Sequence, residues 1–385
     1  MPAQRVRFDK RLLIPIAVLA VACIVIVVLL RRSSAYTPPP LAFDGPSDTL
    51  EKTVIVPTLD TPMPEGKNVI WCASFQLAWN EMRDEIVGEP IRIENAEEIA
   101  ARLNAGKASK DDLEPADYYI NAGAVADGVI EKIQRDMASR FPDAPTPEIQ
   151  ASEQAVVAYA YLAANVKFAI PFFENKEEFL FEGVPVSSFG VRDKDAYAYG
   201  RLRSQVGILY MLPRDSRMYW AYGHPSNPNP FALDLCTDSS PYQVIVARVE
   251  PKPTLSETLA DLDEKIAGWD SDEWEGRFGP SDVLLVPTMS WRVTHHFTEL
   301  EGADKVILNE RSPVAGYWVR ETSQLIDFRL DRSGARLRSE AKYVCEAGER
   351  YFVLDRPFLI VMKKRGGQEP FFVMWVANAE LLCKR

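Results

Sequence analysis

No catalytic signature runs through this chain of 385 residues. It has no Gly-x-Ser-x-Gly elbow to raise a nucleophile, no Gly-x-Gly-x-x-Gly turn or phosphate loop to cradle a nucleotide, and no His-Glu-x-x-His to hold zinc. Histidine itself is scarce, at three residues. The one adjacent pair, His295-His296, would point to opposite faces of a strand and could not share an ion. Ser339-Glu340-Ala341-Lys342 fits the Ser-x-x-Lys pattern of some acylating enzymes, but its usual partner motifs are absent and an exposed loop is the better reading. The sequence therefore points to no enzyme, no cofactor and no metal site, and it contains no internal repeat.

Cysteine is sparse as well, with five residues at wide, irregular spacing that matches no metal or disulfide framework. Cys23 lies in an apolar run and reads as filler. Cys72, Cys236, Cys345 and Cys383 would form two disulfides, in one of three connectivities, or stand as lone, partly buried thiols. A net positive charge is confined to the start of the chain. Residues 1–32 hold +5 against a total of −11, which leaves −16 for the remainder. So acidic a segment is a poor partner for nucleic acid and offers no basic patch to a membrane.

What is present begins with 19 uncharged residues, Leu12 to Leu30, between basic flanks. That run is long enough to span a bilayer. A cleaved signal peptide, with Ser33-Ser34-Ala35 as the cleavage site, is the rival reading, though its apolar region would usually be shorter. The excess of positive charge before the run places residues 1–32 as a short cytoplasmic segment plus signal anchor, with everything later outside the cytoplasm at the cell membrane. Residues 33–66, with Pro38-Pro39-Pro40, Pro46, Pro57, Pro62 and Pro64, are expected to be a semi-rigid stalk. Residues 67–385 form one domain, and 47% hydrophobic residues allow it a sizeable core.

Within that domain Val69-Ile70-Trp71 predicts a strand, followed by a helix through Phe75, Leu77, Ala78, Met82 and Ile86. A short helix is expected over 96–103, a strand over 118–123, an amphipathic helix over 129–139 and a long strand over 156–170. Thr254-Leu255-Ser256-Glu257 is a capping box, and Leu255, Leu259, Leu262 and Ile266 make an apolar stripe behind it. Strands 244–249 and 283–287 flank that helix. At the end of the chain two apolar runs, 356–362 and 371–378, enclose Lys363-Lys364-Arg365-Gly366-Gly367, the composition of a buried hairpin with its turn.

Arg356-Pro357-Phe358-Leu359 and the closing Val376-Ala377-Asn378 resemble the C-terminus of the serpins, where such a strand follows an exposed reactive loop. The segment from Asn68, the run Lys167-Phe168-Ala169-Ile170-Pro171-Phe172 and the capped helix ending at Trp269 resemble that family as well, over about Asn68 to Asn378. The resemblance implies an α+β fold with a large central sheet, smaller sheets and surrounding helices. It also implies a loop that, once cut by a protease, inserts into the large sheet as a new strand.

Carried over residue by residue, the candidate hinge is Gly334 and Ala335, and the candidate reactive-site window is Glu346, Ala347, Gly348, Glu349 and Arg350. Arg332 stands where the family has Glu, and Arg336, Leu337, Arg338 and Glu340 break the run of small residues that an inserting hinge needs. Cys72, Ala160 and Gln324 replace a buried polar cluster of Ser, Asn and His, Phe168 replaces a Trp, and the span between Arg140 and Val156 is too short for the helix that crosses the family's sheet. These departures favour a non-inhibitory binding or interaction module with an unidentified protein partner. The alternative is a working serine-type protease inhibitor acting through loop 335–355. That loop and the acidic stretch 261–275 are the expected contact surfaces.

Overall fold

The computed structural model describes residues 38–191, 200–211, 230–270, 276–279, 282–333 and 350–385. The chain forms strands β1 (Phe43–Pro46), β2 (Thr53–Ile55) and β3 (Asn68–Cys72), then helices α1 (Ala73–Glu81) and α2 (Glu97–Ala105). Strand β4 (Tyr118–Ala124), helix α3 (Val129–Arg140) and strand β5 (Val156–Leu162) follow. Short strands β6 (Phe173–Glu174), β7 (Leu180–Phe181), β8 (Val184–Pro185) and β9 (Ser188–Val191) precede β10 (Gly207–Met211), β11 (Phe231–Asp234) and β12 (Tyr242–Arg248). After helix α4 (Leu255–Ala267) come β13 (Val283–Pro287), β14 (Met289–His296), β15 (Ser323–Leu330), β16 (Tyr351–Val353), β17 (Phe358–Lys364) and β18 (Pro370–Val376).

The result is a multi-sheet α+β fold. Its largest sheet has seven strands in the order β10-β11-β12-β17-β18-β3-β2. The C-terminal hairpin lies inside it, with Phe358 opposite Val376 and Met362 opposite Phe372. Every residue of β18 is buried, which is why this strand reads as a continuous apolar run rather than an alternating one. Gly366, in the turn, has φ +78, a value that favours glycine. In β15, by contrast, Gln324, Ile326, Phe328 and Leu330 are buried while the residues between them are exposed, the period-two pattern of a strand covered on one face. Phe328 stacks on Phe372 with ring centroids 4.5 Å apart, and Trp291 lies 5.3 Å from Phe328, so β14 and β15 close over one face of the seven-stranded sheet.

The strand that leads toward residue 334 does not belong to that large sheet. It is one edge of a three-stranded sheet, β1-β14-β15, whereas β4 and β5 form a separate two-stranded sheet. A further four-stranded sheet has the order β16-β13-β9-β6. Its strands approach so closely at Gly190 that a Cβ there would sit 1.8 Å from the Leu284 carbonyl oxygen. Helix α4 begins with the first of the two bonds of the expected capping box, Thr254 Oγ1 accepting from the Glu257 N–H at 3.1 Å.

Several expectations are corrected. Residues 39–66 do not stand apart as a stalk; they belong to the compact unit Pro39–Arg385. The prolines dominate their composition, yet between them Thr53-Val54-Ile55 pairs in parallel with Asn68, Val69 and Ile70, and Thr53, Ile55, Val56 and Thr58 are buried. β1 likewise pairs in parallel with β14. The strand expected over 156–170 stops at Leu162, and Phe168 beyond it is buried against Phe172 and Phe189. The helix after β3 ends its regular course at Glu81 and continues as a π turn over Met82–Val87. Cys72, Cys236 and Cys383 are buried free thiols. Cys23, Cys345 and the apolar run 12–30 lie outside the described residues, among which no helix is long and apolar enough to cross a membrane.

Candidate functional site

Gly334, Ala335, Glu346, Ala347, Gly348 and Glu349 lie outside the described residues, as does Ser339 to Lys342. Both flanks of that segment are described, and both are fastened. At the near end Asp331 Oδ1 accepts from the Ser333 N–H at 2.7 Å and from its hydroxyl at 2.5 Å, so the chain leaves β15 in a closed turn. Arg332 Nε donates to the Phe172 carbonyl at 3.3 Å, and its guanidinium stands 3.8 Å from Glu174.

At the far end Arg350, expected as the exposed last member of the reactive-site window, is only 6% exposed. Its Nε donates to both oxygens of Asp282 at 2.9 and 3.0 Å, and Nη2 adds bonds of 2.5 Å to Asp282 Oδ2 and to the Arg277 carbonyl. Asp282 Oδ2 also accepts from the Gly279 N–H at 2.6 Å. Arg203 holds the backbone of the same turn, donating to the carbonyls of Gly279 at 2.8 Å and Asp282 at 2.6 Å. Burial lowers the Arg203 pKa, and the nearby Asp282 charge opposes the shift. The Val283 N–H then bonds the Arg350 carbonyl at 2.8 Å and opens the parallel pairing of β13 with β16. Neither Asp282 nor Arg203 was singled out from the sequence, because a pair separated by 68 residues leaves no local pattern.

The predicted replacements behind β15 come together in part. Gln324 Nε2 donates to the Cys72 carbonyl at 3.0 Å and to Ser74 Oγ at 2.8 Å, tying β15 to the start of α1. Gln324 Oε1 is buried with no partner. Burial raises the Cys72 thiol pKa. Ala160 sits on β5 opposite Ile120 and brings no polar side chain. β5 runs near β15 without pairing: the pKa of Tyr161 is raised first by burial and then by the charge of Asp327 on β15.

His295 and His296 diverge as expected of neighbours in a strand. His295 Nδ1 meets Ser47 Oγ at 2.6 Å, whereas His296 Nδ1 meets Glu301 at 3.2 Å. Among the described residues no group of three His, Cys, Asp or Glu is placed to hold a metal. In the acidic stretch Asp261 is engaged by Lys252 at 3.2 Å and by Lys265 one helical turn on; both hold its carboxyl below the usual carboxylate range, Lys265 more strongly. Residues 271–275 lie outside the described residues. A cleft of about 490 Å³ is lined by Lys167, Asp238, Ser240 and Tyr242 among others. The Tyr242 hydroxyl is already committed, donating to Asp117 at 2.6 Å and accepting from the Glu114 N–H at 2.9 Å.

No family model matches the chain, and no curated protein matches its sequence. Among solved structures, a highly specific serpin of the insect Tenebrio molitor is similar at 10% identity and a TM-score of 0.44, covering 81% of this chain and 92% of that one. Human glycosylated kallistatin is similar at 12% identity and a TM-score of 0.46, with coverages of 82% and 92%. Human thyroxine-binding globulin, complexed with thyroxine, is similar at 11% identity and a TM-score of 0.44, also with coverages of 82% and 92%.

Proposed function

We propose that this chain is a serpin-like protein that residues 12–30 anchor in a membrane, with its domain outside the cytoplasm, and that it works as a non-inhibitory binding or interaction module. The observation that carries the non-inhibitory reading is the double fastening of the 334–349 segment. A loop that inserts must continue β15 as an extended strand, and the Asp331 side-chain turn at Ser333 would have to open for it to do so, while Arg350 is held at the other flank by Asp282. Arg336, Arg338 and Glu340 within the segment add the desolvation of charged groups to the cost of entering a sheet. The segment thus acts as a tether between β15 and β16.

One observation favours the inhibitor alternative. Among the described residues β5 and β15 each end a sheet, β15 is tied to the start of α1 through Ser74, and α1 packs against β5. Unpaired edges of this kind accept an added strand. Thermal unfolding before and after limited proteolysis between 334 and 349 separates the two readings. The interaction-module reading expects an unchanged midpoint, whereas a rise of tens of degrees would establish insertion and overturn it. Resistance of the full chain to alkaline carbonate extraction from membranes tests the anchor.

A further inference from the structure

The connection between β14 and β15 joins residues 92–94 in a small sheet of its own. The Glu94 N–H donates to the Val306 carbonyl at 2.8 Å and the Leu308 N–H to the Arg92 carbonyl at 2.9 Å. On the other side of the same segment the Ile307 N–H donates to the Tyr317 carbonyl at 2.8 Å, and the Val319 N–H to the Lys305 carbonyl at 3.0 Å. Ile93 thus stands opposite Ile307, and Val306 opposite Trp318. Side chains alternate along a strand and agree across a pair, so buried Ile93 and Ile307 face inward while Glu94, Val306 and Trp318 make one row on the outer face.

Trp318 ends that row at the edge of the sheet, and it is 50% exposed. The pairing uses the carbonyl of Tyr317 and the N–H of Val319, so the N–H and C=O of Trp318 between them point the other way. Neither those groups nor the N–H and C=O of Arg320 have a partner among the described residues. An indole half in water beside an unpaired strand edge is a surface that an added strand would cover.

We propose that the Trp318–Arg320 edge binds an extended segment of a partner protein, which adds antiparallel to it and carries a carboxylate beside Arg320. The inference rests on the reading of this chain as an interaction module. Exchange of both backbone bonds with Trp318 supplies affinity, and side chains on the outer face supply selectivity. Trp318 calls for an apolar neighbour. Arg320, two residues on and so on the same face, has no ion pair among the described residues, and the Arg92 guanidinium on that face bonds only the Leu308 carbonyl. Glu94 lies two strands away from the edge, so the charge that a docked strand meets first is positive. A second copy of this chain does not supply the complement: paired antiparallel about Trp318, it would set Gly316 against Arg320.

The test titrates the full chain with a blocked, dye-labelled peptide, Thr-Glu-Thr-Val-Thr-Val-Thr, and reads binding by fluorescence anisotropy. Saturable binding is expected. It should weaken at least ten-fold when the first Val of the probe is N-methylated, and by as much in Trp318→Ala or Arg320→Glu. Arg320→Glu should in turn prefer the probe with Lys in place of Glu. Both residues are exposed, and Arg320→Gln serves if Arg320→Glu does not fold. No saturable binding up to millimolar probe, or binding indifferent to N-methylation and to Arg320→Glu, would overturn the proposal. A dimer of the parent that Trp318→Ala dissolves would overturn it too, by making a second copy the occupant. The interaction-module reading is decided separately, by the thermal midpoint after cleavage.

Discussion

The Arg350 guanidinium grips the Asp282 carboxylate through three hydrogen bonds of 2.5 to 3.0 Å, in a site where Asp282 is 2% exposed. It is the point at which the chain returns from the 334–349 segment into the sheets. Removing one partner leaves the other charge buried and uncompensated, which typically costs about 3–5 kcal/mol, whereas replacing both with apolar groups of similar size often restores much of the loss. Arg350→Met and Asp282→Leu should each lower the urea midpoint markedly, and the double variant should recover a large share. Single variants within about 1 kcal/mol of the parent would mean that the clamp does not hold the fold.

A second latch closes the end of the chain. Asn68 Oδ1 accepts from the N–H groups of Ala377 and Asn378, and its Nδ2 donates to Thr53 Oγ1 and to Asn378 Oδ1. Asn68 is fully buried, so Asn68→Ala strands two backbone donors at about 1–3 kcal/mol each. Unfolding should therefore shift by several degrees or more, and hydrogen exchange at Ala377 and Asn378 should accelerate. Unchanged exchange there would show that other acceptors take over.

The parts of this fold that were legible in the sequence are those whose pattern is local. The α4 cap at Thr254, the C-terminal hairpin and the α3 face expected through Val129, Ile130, Ile133 and Met137, of which Ile130 is only half-buried, follow from spacing that one element carries by itself. In residues 39–66 the prolines dominate the composition, and the strand that Thr53-Val54-Ile55 joins lies 13 or more residues away, beyond the reach of a local pattern. The clamp on Arg350 was hidden for a related reason. Arg350 looked like a polar loop residue until a buried carboxylate, brought by the start of β13, stood beside it. The hinge and the rest of the reactive-site window fall on residues outside the described part, and the described flanks are held by Asp331 on one side and Asp282 on the other.

The three buried thiols give a simple probe of the core. Burial raises the pKa of Cys72, Cys236 and Cys383, and Cys236, which also feels Asp234, is pushed up to about 12. Thiolate is the reactive form, so all three should resist an aromatic disulfide reagent at pH 8 while the protein is folded. Denaturant should release at least three further thiols per chain. Rapid native-state reaction at Cys236, mapped by mass spectrometry, would show that the β11–β12 region opens readily.

His295 should make stability depend on acid. Burial, and secondarily the neighbouring His296, lower its pKa from 6.5 to about 4, while Glu301 opposes the shift and Ser47 Oγ and the Phe297 ring pack against the imidazole. Between pH 6.5 and 4 the unfolded chain therefore binds a proton that the folded chain refuses, and linkage requires stability to fall as pH falls across that window. The contribution is whole above pH 6.5 and is gone below about pH 4. His295→Asn cannot titrate, so its thermal midpoint should decline less steeply than the parent's between pH 6.5 and 4, while the two curves run parallel above pH 7. If the parent and His295→Asn show the same slope in that window, His295 does not carry the acid sensitivity, and the contact between Ser47 and β14 is indifferent to protonation.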